Sequence, residues 1–167
     1  MGVRGELGVW PPWGTVVFRG ATFLNLDAKG RLAIPARHRE RLAELCDSRL
    51  VVTADPQHCL LVYPQPTWSD IERKLVALPS FDAQSRALTR LLIGHANEVE
   101  PDGQGRIMLT PEQRDYAGLD KRAALVGVGN KFELWDEERW REKLKDDEVH
   151  FDMNDLAANP HTATISI

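Results

Sequence analysis

The chain has 167 residues, 43% of them hydrophobic and 28% charged, with a net charge of −4 and two cysteines, Cys46 and Cys59. This composition suits one ordinary globular domain or two half-size units, and it excludes a general polyanion binder, a disulfide framework and a spanning segment of roughly 20 apolar residues. The start, "MGVRGELGVWPPWGTVV", has no apolar h-region and is broken by prolines, so no secretory signal is expected and a reducing, cytosolic compartment is.

Residues 1–17 carry neither helix nor strand periodicity and read as an N-terminal extension without fixed structure. From Phe18, "FRGATFLNL" reads as a strand, "DAKG" as a tight turn with Gly30 at positive φ, and "RLAI" as the return strand of a hairpin. Pro35 suits the first position of a helix, "PARHRERLAEL", with Leu42 and Leu45 on one face. "RLVVTAD" and "CLLVYP" form a second hairpin across "PQH". "TWSDIERKLVAL" is a helix with Thr67 and Asp70 as a capping box and Trp68, Ile71, Leu75 and Leu78 as its apolar stripe. Asp82 to Ile93 forms another, with Leu88, Leu91 and Leu92 inward.

The order then repeats. "HANEVEP" is a strand, "DGQG" a turn, and "RIML" a return strand. "TPEQRDYAGL" opens a helix with Thr110 as N-cap, Pro111 at N1 and Gln113 at N3. "AALVGVG" and "KFELWD" pair across "GNK", and "DEERWREKLKDDE" is a helix whose early acids and later lysines match its dipole. The last stretch, "NDLAANPHTATISI", is weakly structured.

Asp27, Gly30, Arg31 and Arg39 thus correspond to Asp102, Gly105, Arg106 and Arg114 at an offset of 75, and Leu60, Tyr63 and Trp68 to Phe132, Trp135 and Trp140 at an offset of 72. Neither copy has strands enough to bury a face alone, so the two must interleave. Turn chemistry explains Asp and Gly in both copies, and an Asp27–Arg31 pair across the turn is one structural use of the arginine. It does not require Arg directly after Gly twice, with a second Arg eight positions on. Charge is also segregated. Residues 29–41 carry a net +4, residues 102–115 a net −1 and residues 136–155 a net −5. A basic turn and helix on an acidic body is the footprint of a protein that touches nucleic acid with one surface.

Other chemistries fit poorly. Cys46, Cys59, His58 and His95 lack zinc-ligand spacing, and adjacent His58 and Cys59 on a strand point to opposite faces. "GVGNKF" lies between strands rather than before a helix, "DGQGR" has too few oxygen ligands for calcium, and no serine sits in a nucleophile elbow. No catalytic residue, cofactor, metal, small-molecule substrate or membrane partner is expected. The tryptophans Trp68, Trp135 and Trp140 read as core.

"FRGATFLNLDAKGRLAIPARHRERL", "LLIGHANEVEPDGQGRIMLTPEQRDYAGL" and "GVGNKFELWDEERW" resemble the MraZ family of bacterial transcriptional regulators, over about residues 18–150. The resemblance implies an α+β, mainly β fold: two tandem AbrB-like swapped-hairpin halves interleaved into one pseudo-symmetric β-barrel with flanking helices. The first half would span 18–66, a helical connection 67–94, the second half 95–135, a C-terminal helix 136–150 and a flexible tail 151–167. It implies ring-shaped homo-oligomers that bind tandem promoter repeats on double-stranded DNA, upstream of the division and cell-wall gene cluster, in the cytoplasm at the nucleoid. The DNA-contacting motif falls on Asp27–Arg31 and Asp102–Arg106. Arg31 would read guanine or clamp phosphate, Lys29 would contact phosphate, and Asp27 and Asp102 would orient the arginines. Arg106 is the second-half equivalent in more acidic surroundings, and Arg37 and Arg39 extend the basic face. Family members begin at Met-Phe-Arg-Gly, whereas here Val17 precedes "FRGA". Valine is the internal reading of a GTG start codon, so residues 1–16 are expected to be an upstream over-call that the intact mass of protein from the native locus would reveal. The alternatives are an AbrB/MazE-type antitoxin, which usually has one half-unit and a long disordered tail, and an oligomer whose arginines bind only neighbouring subunits.

Overall fold

The computed structural model describes residues 17–165. Readings that concern residues 1–16 lie outside this range. In chain order the elements are β1 (Phe18–Asn25), β2 (Arg31–Ala33), α1 (Ala36–Cys46), β3 (Leu50–Ala54), β4 (Leu60–Pro64), α2 (Gln65–Val76), α3 (Ala83–Leu92), β5 (Asn97–Val99), β6 (Arg106–Met108), α4 (Pro111–Ala117), β7 (Arg122–Gly129), β8 (Phe132–Asp136), α5 (Glu137–Glu148) and α6 (Met153–Ala158).

The β3–β4 and β7–β8 hairpins form as expected from their alternating apolar residues. They join edge to edge through β4 and β8, and the antiparallel sheet runs β1-β7-β8-β4-β3-β5. β2 and β6 make a separate two-stranded ribbon.

Two expectations are corrected here. The return strands do not fold back as β1–β2 and β5–β6 hairpins. β1 pairs along its length with β7 and β5 pairs with β3, while β2 and β6 pair with each other. A three-residue return strand offers few ladder bonds, whereas β7 offers all eight residues of β1 a partner. The halves do interleave, because each half of the sheet takes its edge strand from the other half of the chain. The second correction is the barrel. The six-stranded sheet is open, with β1 and β5 at opposite edges, and no β1–β5 pairing closes it.

Alternation sorts the strand residues onto two faces. Leu50, Val52, Leu60, Val62, Leu125, Phe132 and Leu134 face one core, which Leu32 and Ile107 of the ribbon, Leu42 of α1 and Ala117 of α4 complete. Leu45, Leu91 and Tyr116 pack on it half-buried. On strands β3, β4, β7 and β8, Val51, Leu61, Tyr63, Val126 and Trp135 are also buried but alternate with that set. α2 packs on β3 and β4 with Trp68 against Tyr63, ring centroids 5.8 Å apart. Thr53, fully buried, donates its hydroxyl to the carbonyl of Leu92 at the C-terminal end of α3, which satisfies both groups.

The helix ends also differ from expectation in places. α4 has the full capping box: Thr110 Oγ1 accepts from the Gln113 backbone N–H (3.1 Å) and Gln113 Oε1 from the Thr110 N–H (3.2 Å). α2, by contrast, begins two residues before Thr67, with Pro64 at its N-cap and no side-chain cap. Asp70 pairs with Arg73 instead. Pro35 is the N-cap of α1 rather than its first helical residue. Leu88 is 38% exposed, not inward, because α3 docks by its C-terminal end.

The chain divides into two units, 1–136 and 137–167. The second contains α5, laced by Arg141–Glu137 (3.2 Å) and Lys143–Asp147 (2.8 Å), and α6, which Asp152 caps. α6 lies within the stretch read as weakly structured. Among the described residues no helix is long and apolar enough to cross a membrane.

Candidate nucleic-acid interface

Each Asp-x-x-Gly-Arg turn is built the same way. Asp27 Oδ1 accepts from the backbone N–H of Lys29 (3.0 Å) and of Arg31 (2.9 Å), and Oδ2 accepts from Arg31 Nε (2.7 Å). Asp102 Oδ1 accepts from Gln104 N–H (2.9 Å) and Arg106 N–H (3.0 Å), and Oδ2 from Arg106 Nε (2.9 Å). Gly30 and Gly105 take φ of 80° and 75°, the left-handed region where a side chain is disfavoured. The backbone N–H of Arg31 donating to Asp27 lowers that carboxyl below its ordinary value of 3.8, and the Arg31 side chain adds to this against partial desolvation. The N–H of Arg106 does the same for Asp102.

The consequence for the arginines is geometric. Nε of each is spent on its own aspartate, so the guanidinium plane is fixed while the terminal Nη pair remains as a two-pronged donor. The arginine side chains are 25% and 31% exposed.

The ribbon brings the two arginines together. Arg31 lies opposite Met108, Leu32 opposite Ile107 and Ala33 opposite Arg106. Leu32 and Ile107 are buried, whereas Ala33 and Met108 are exposed. Alternation therefore places Arg31, Ala33, Arg106 and Met108 on the outer face, with the arginines as diagonal neighbours, Cα atoms about 7–8 Å apart.

The ribbon is pinned at both ends by reciprocal bonds: Ile34 N–H donates to the Gly105 carbonyl (2.8 Å) and Leu109 N–H to the Gly30 carbonyl (3.0 Å). The second arginine of each copy crosses over in the same way. A Cβ on Gly105 would lie 2.6 Å from Arg39 Nη1, and one on Gly30 would lie 2.5 Å from Arg114 Nε. Arg39 Nη1 donates to the Gln104 carbonyl (3.5 Å), and Arg114 Nε is buried with no hydrogen-bond partner among the described residues. Each helix arginine thus lies against the turn of the other half.

Of the residues expected at a DNA interface, Asp27, Lys29 and Arg31 share one turn and Asp102 and Arg106 the other. Lys29 is exposed at its tip and makes no ion pair among the described residues; the second turn has Gln104 there. Arg39 lies behind the second turn. Arg37 is elsewhere: its Nη2 donates to Thr22 Oγ1 on β1 (2.6 Å) and its Nε to His38 Nε2 (3.2 Å). Sequence reasoning named Arg114 as the counterpart of Arg39 but did not place it against the first turn, nor Ala33 and Met108 beside the two arginines. The repeated arginine eight positions after the turn was the available signal for Arg114; the pairing of the ribbon had none.

The chain matches the family described as "MraZ protein, putative antitoxin-like" twice, over residues 17–91 and 92–158. It is 56% identical over 151 residues to the transcriptional regulator MraZ of Thioalkalivibrio sulfidiphilus, covering 90% of this chain and 99% of that one. It is 57% identical to that of Nitrosospira multiformis, over 77% of this chain and 88% of the relative, and 49% identical to that of Shewanella amazonensis, over 90% and 100%. With both copies of its turn motif inside these matches, the chain belongs to the MraZ family.

Proposed function

We propose that the protein is a sequence-specific, DNA-binding transcriptional regulator that presents the β2–β6 ribbon to duplex DNA. The observation that carries this reading is the pair of aspartate-locked arginines on the outer face of a two-stranded ribbon. A two-stranded ribbon fits the major groove, and an Nη pair held in one plane suits the O6/N7 edge of guanine, or a phosphate. Arg31 and Arg106 are the readers, Asp27 and Asp102 hold them in register, and Lys29 adds a phosphate contact. Arg39 acts through the second turn, which it backs. The names of the relatives, all transcriptional regulators, support the same reading.

The exchange of edge strands between halves fits the AbrB-like swapped-hairpin arrangement of a duplicated chain. One ribbon carries few cations, so a single subunit makes few phosphate contacts and binds weakly at physiological salt. A ring-shaped homo-oligomer facing tandem repeats upstream of its own gene, in the division and cell-wall cluster, gains through effective concentration. Such a regulator works in the cytoplasm, at the nucleoid.

The test is a fluorescence-anisotropy titration of a probe carrying those repeats, with a scrambled probe as control, at two salt concentrations. Arg31→Ala and Arg106→Ala should each weaken repeat binding by about 1–3 kcal/mol, roughly fivefold to 150-fold, while the oligomer stays intact. Equal affinity for both probes, unchanged by either substitution, would favour an oligomer whose arginines serve only its subunits.

A further inference from the structure

We propose that a cleft between the start of β1 and α1, walled by Arg19, Arg37 and Arg41, binds a small phosphomonoester. The cleft has a volume of about 230 Å³ and is lined by those arginines with Val17, Gly20 and His38. None of these lining residues is acidic. The Arg19 side chain makes no hydrogen bond or ion pair among the described residues, and Arg41 donates from Nη1 to the Val17 carbonyl (3.0 Å), leaving its other donors unassigned. Three guanidiniums gathered with no carboxylate among the described lining residues repel one another, and a dianion relieves that repulsion.

The site is pre-organised. Arg37 is held from two sides, by Thr22 and by His38. Gly20, at φ 86°, lets it come close to the strand, since a Cβ there would lie 3.3 Å from Arg37 Nη2. His38, only 5% exposed, lies against Phe132 (centroids 4.8 Å) and Phe18 (6.1 Å) and accepts the Arg37 bond through Nε2. Burial, reinforced by Arg37 and Arg41, keeps its imidazole neutral and able to accept.

The other half of the chain serves as an internal control. Seventy-five positions after Arg37, His38 and Arg41 of α1 stand Glu112, Gln113 and Tyr116 of α4. The corresponding helix is therefore built without these cations, so the helix itself does not demand Arg37 and Arg41. A phosphomonoester offers two charges and several acceptor oxygens to three forked donors, and a phosphodiester offers one charge.

The inference is independent of the ribbon's role, and calorimetry on the full chain tests it. Phenyl phosphate and dimethyl phosphate are titrated at fixed ionic strength, alongside the repeat DNA. Phenyl phosphate should bind saturably and more tightly than dimethyl phosphate. Arg19→Ala, which removes an exposed side chain with no hydrogen bond among the described residues, and Arg41→Ala should each weaken it at least about tenfold, and Arg31→Ala should not. No saturable phenyl phosphate binding, or binding unchanged in Arg19→Ala, overturns the proposal. Preference for dimethyl phosphate, with DNA affinity falling in Arg19→Ala, also overturns it and assigns the cleft to the DNA backbone.

Discussion

Asp27 and Asp102 each shape a turn with one oxygen and aim an arginine with the other, so turn chemistry and guanidinium geometry are one feature. Because backbone donors depress both carboxyls, the stability they add is present above the ordinary value of 3.8 and is lost only as pH falls below it, through the folded values. His38 acts in a different window. Its folded value lies below 6.5, mainly through burial, so its contribution is complete above 6.5 and declines as pH falls through that value toward the depressed one. Thermal denaturation between pH 8 and 5.5 should show wild type losing stability on acidification, with a smaller loss in His38→Gln, which copies the buried Gln113 of the second half. An identical loss in both would place the titration at another histidine. The turn aspartates and glycines were legible because that chemistry spans five residues. Arg39 was legible as a repeated residue but not as the neighbour of Gly105, since only the folded chain brings them together.

Among the elements, the contrast between α4 and α2 shows when a cap signal is decisive. Near the start of each, the sequence has a threonine followed three residues later by a polar residue, Thr110 with Gln113 and Thr67 with Asp70. At α4 the chain arrives extended, Thr110 has φ −71° and ψ 155°, and the box closes. At α2 the strand β4 passes directly into the helix through Pro64, at φ −56° and ψ 139°, so Thr67 is already inside the first turn. Gln113 also donates Nε2 to the carbonyls of Val52 (3.0 Å) and His95 (2.9 Å), which ties the start of α4 to β3 and to the segment before β5. Thr110→Ala should therefore cost about 1 kcal/mol in urea denaturation, whereas Thr67→Ala should cost a few tenths at most. Equal costs would mean that α2 has a cap the structure does not contain. Leu88 misled for a related reason: helical periodicity identifies an apolar stripe but not how much of its length is covered.

At the scale of the whole molecule, the exchange of strands governs folding. A first-half fragment, 17–94, has no β7 for its β1 and no β6 for its β2; the complementary 95–165 lacks β3 for its β5. Each fragment alone should be unfolded, or folded only as a dimer in which a second copy supplies the missing strands, and mixing the two should restore native circular dichroism. A folded monomeric half would contradict the topology. The sequence by itself determined what local chemistry controls: the two turns, their aspartate–arginine pairs, the β3–β4 and β7–β8 hairpins, most helices, and the need for the halves to interleave. Tertiary structure decided which strands pair. It left the sheet open, joined β2 to β6, and so carried Arg31 and Arg106, 75 positions apart, onto one exposed face. Hydrophobic periodicity says which side of a strand is buried, but the ladder partner is chosen by which edge offers the longest run of bonds and the best-filled core. That choice is made between segments distant in the chain, and no local pattern encodes it.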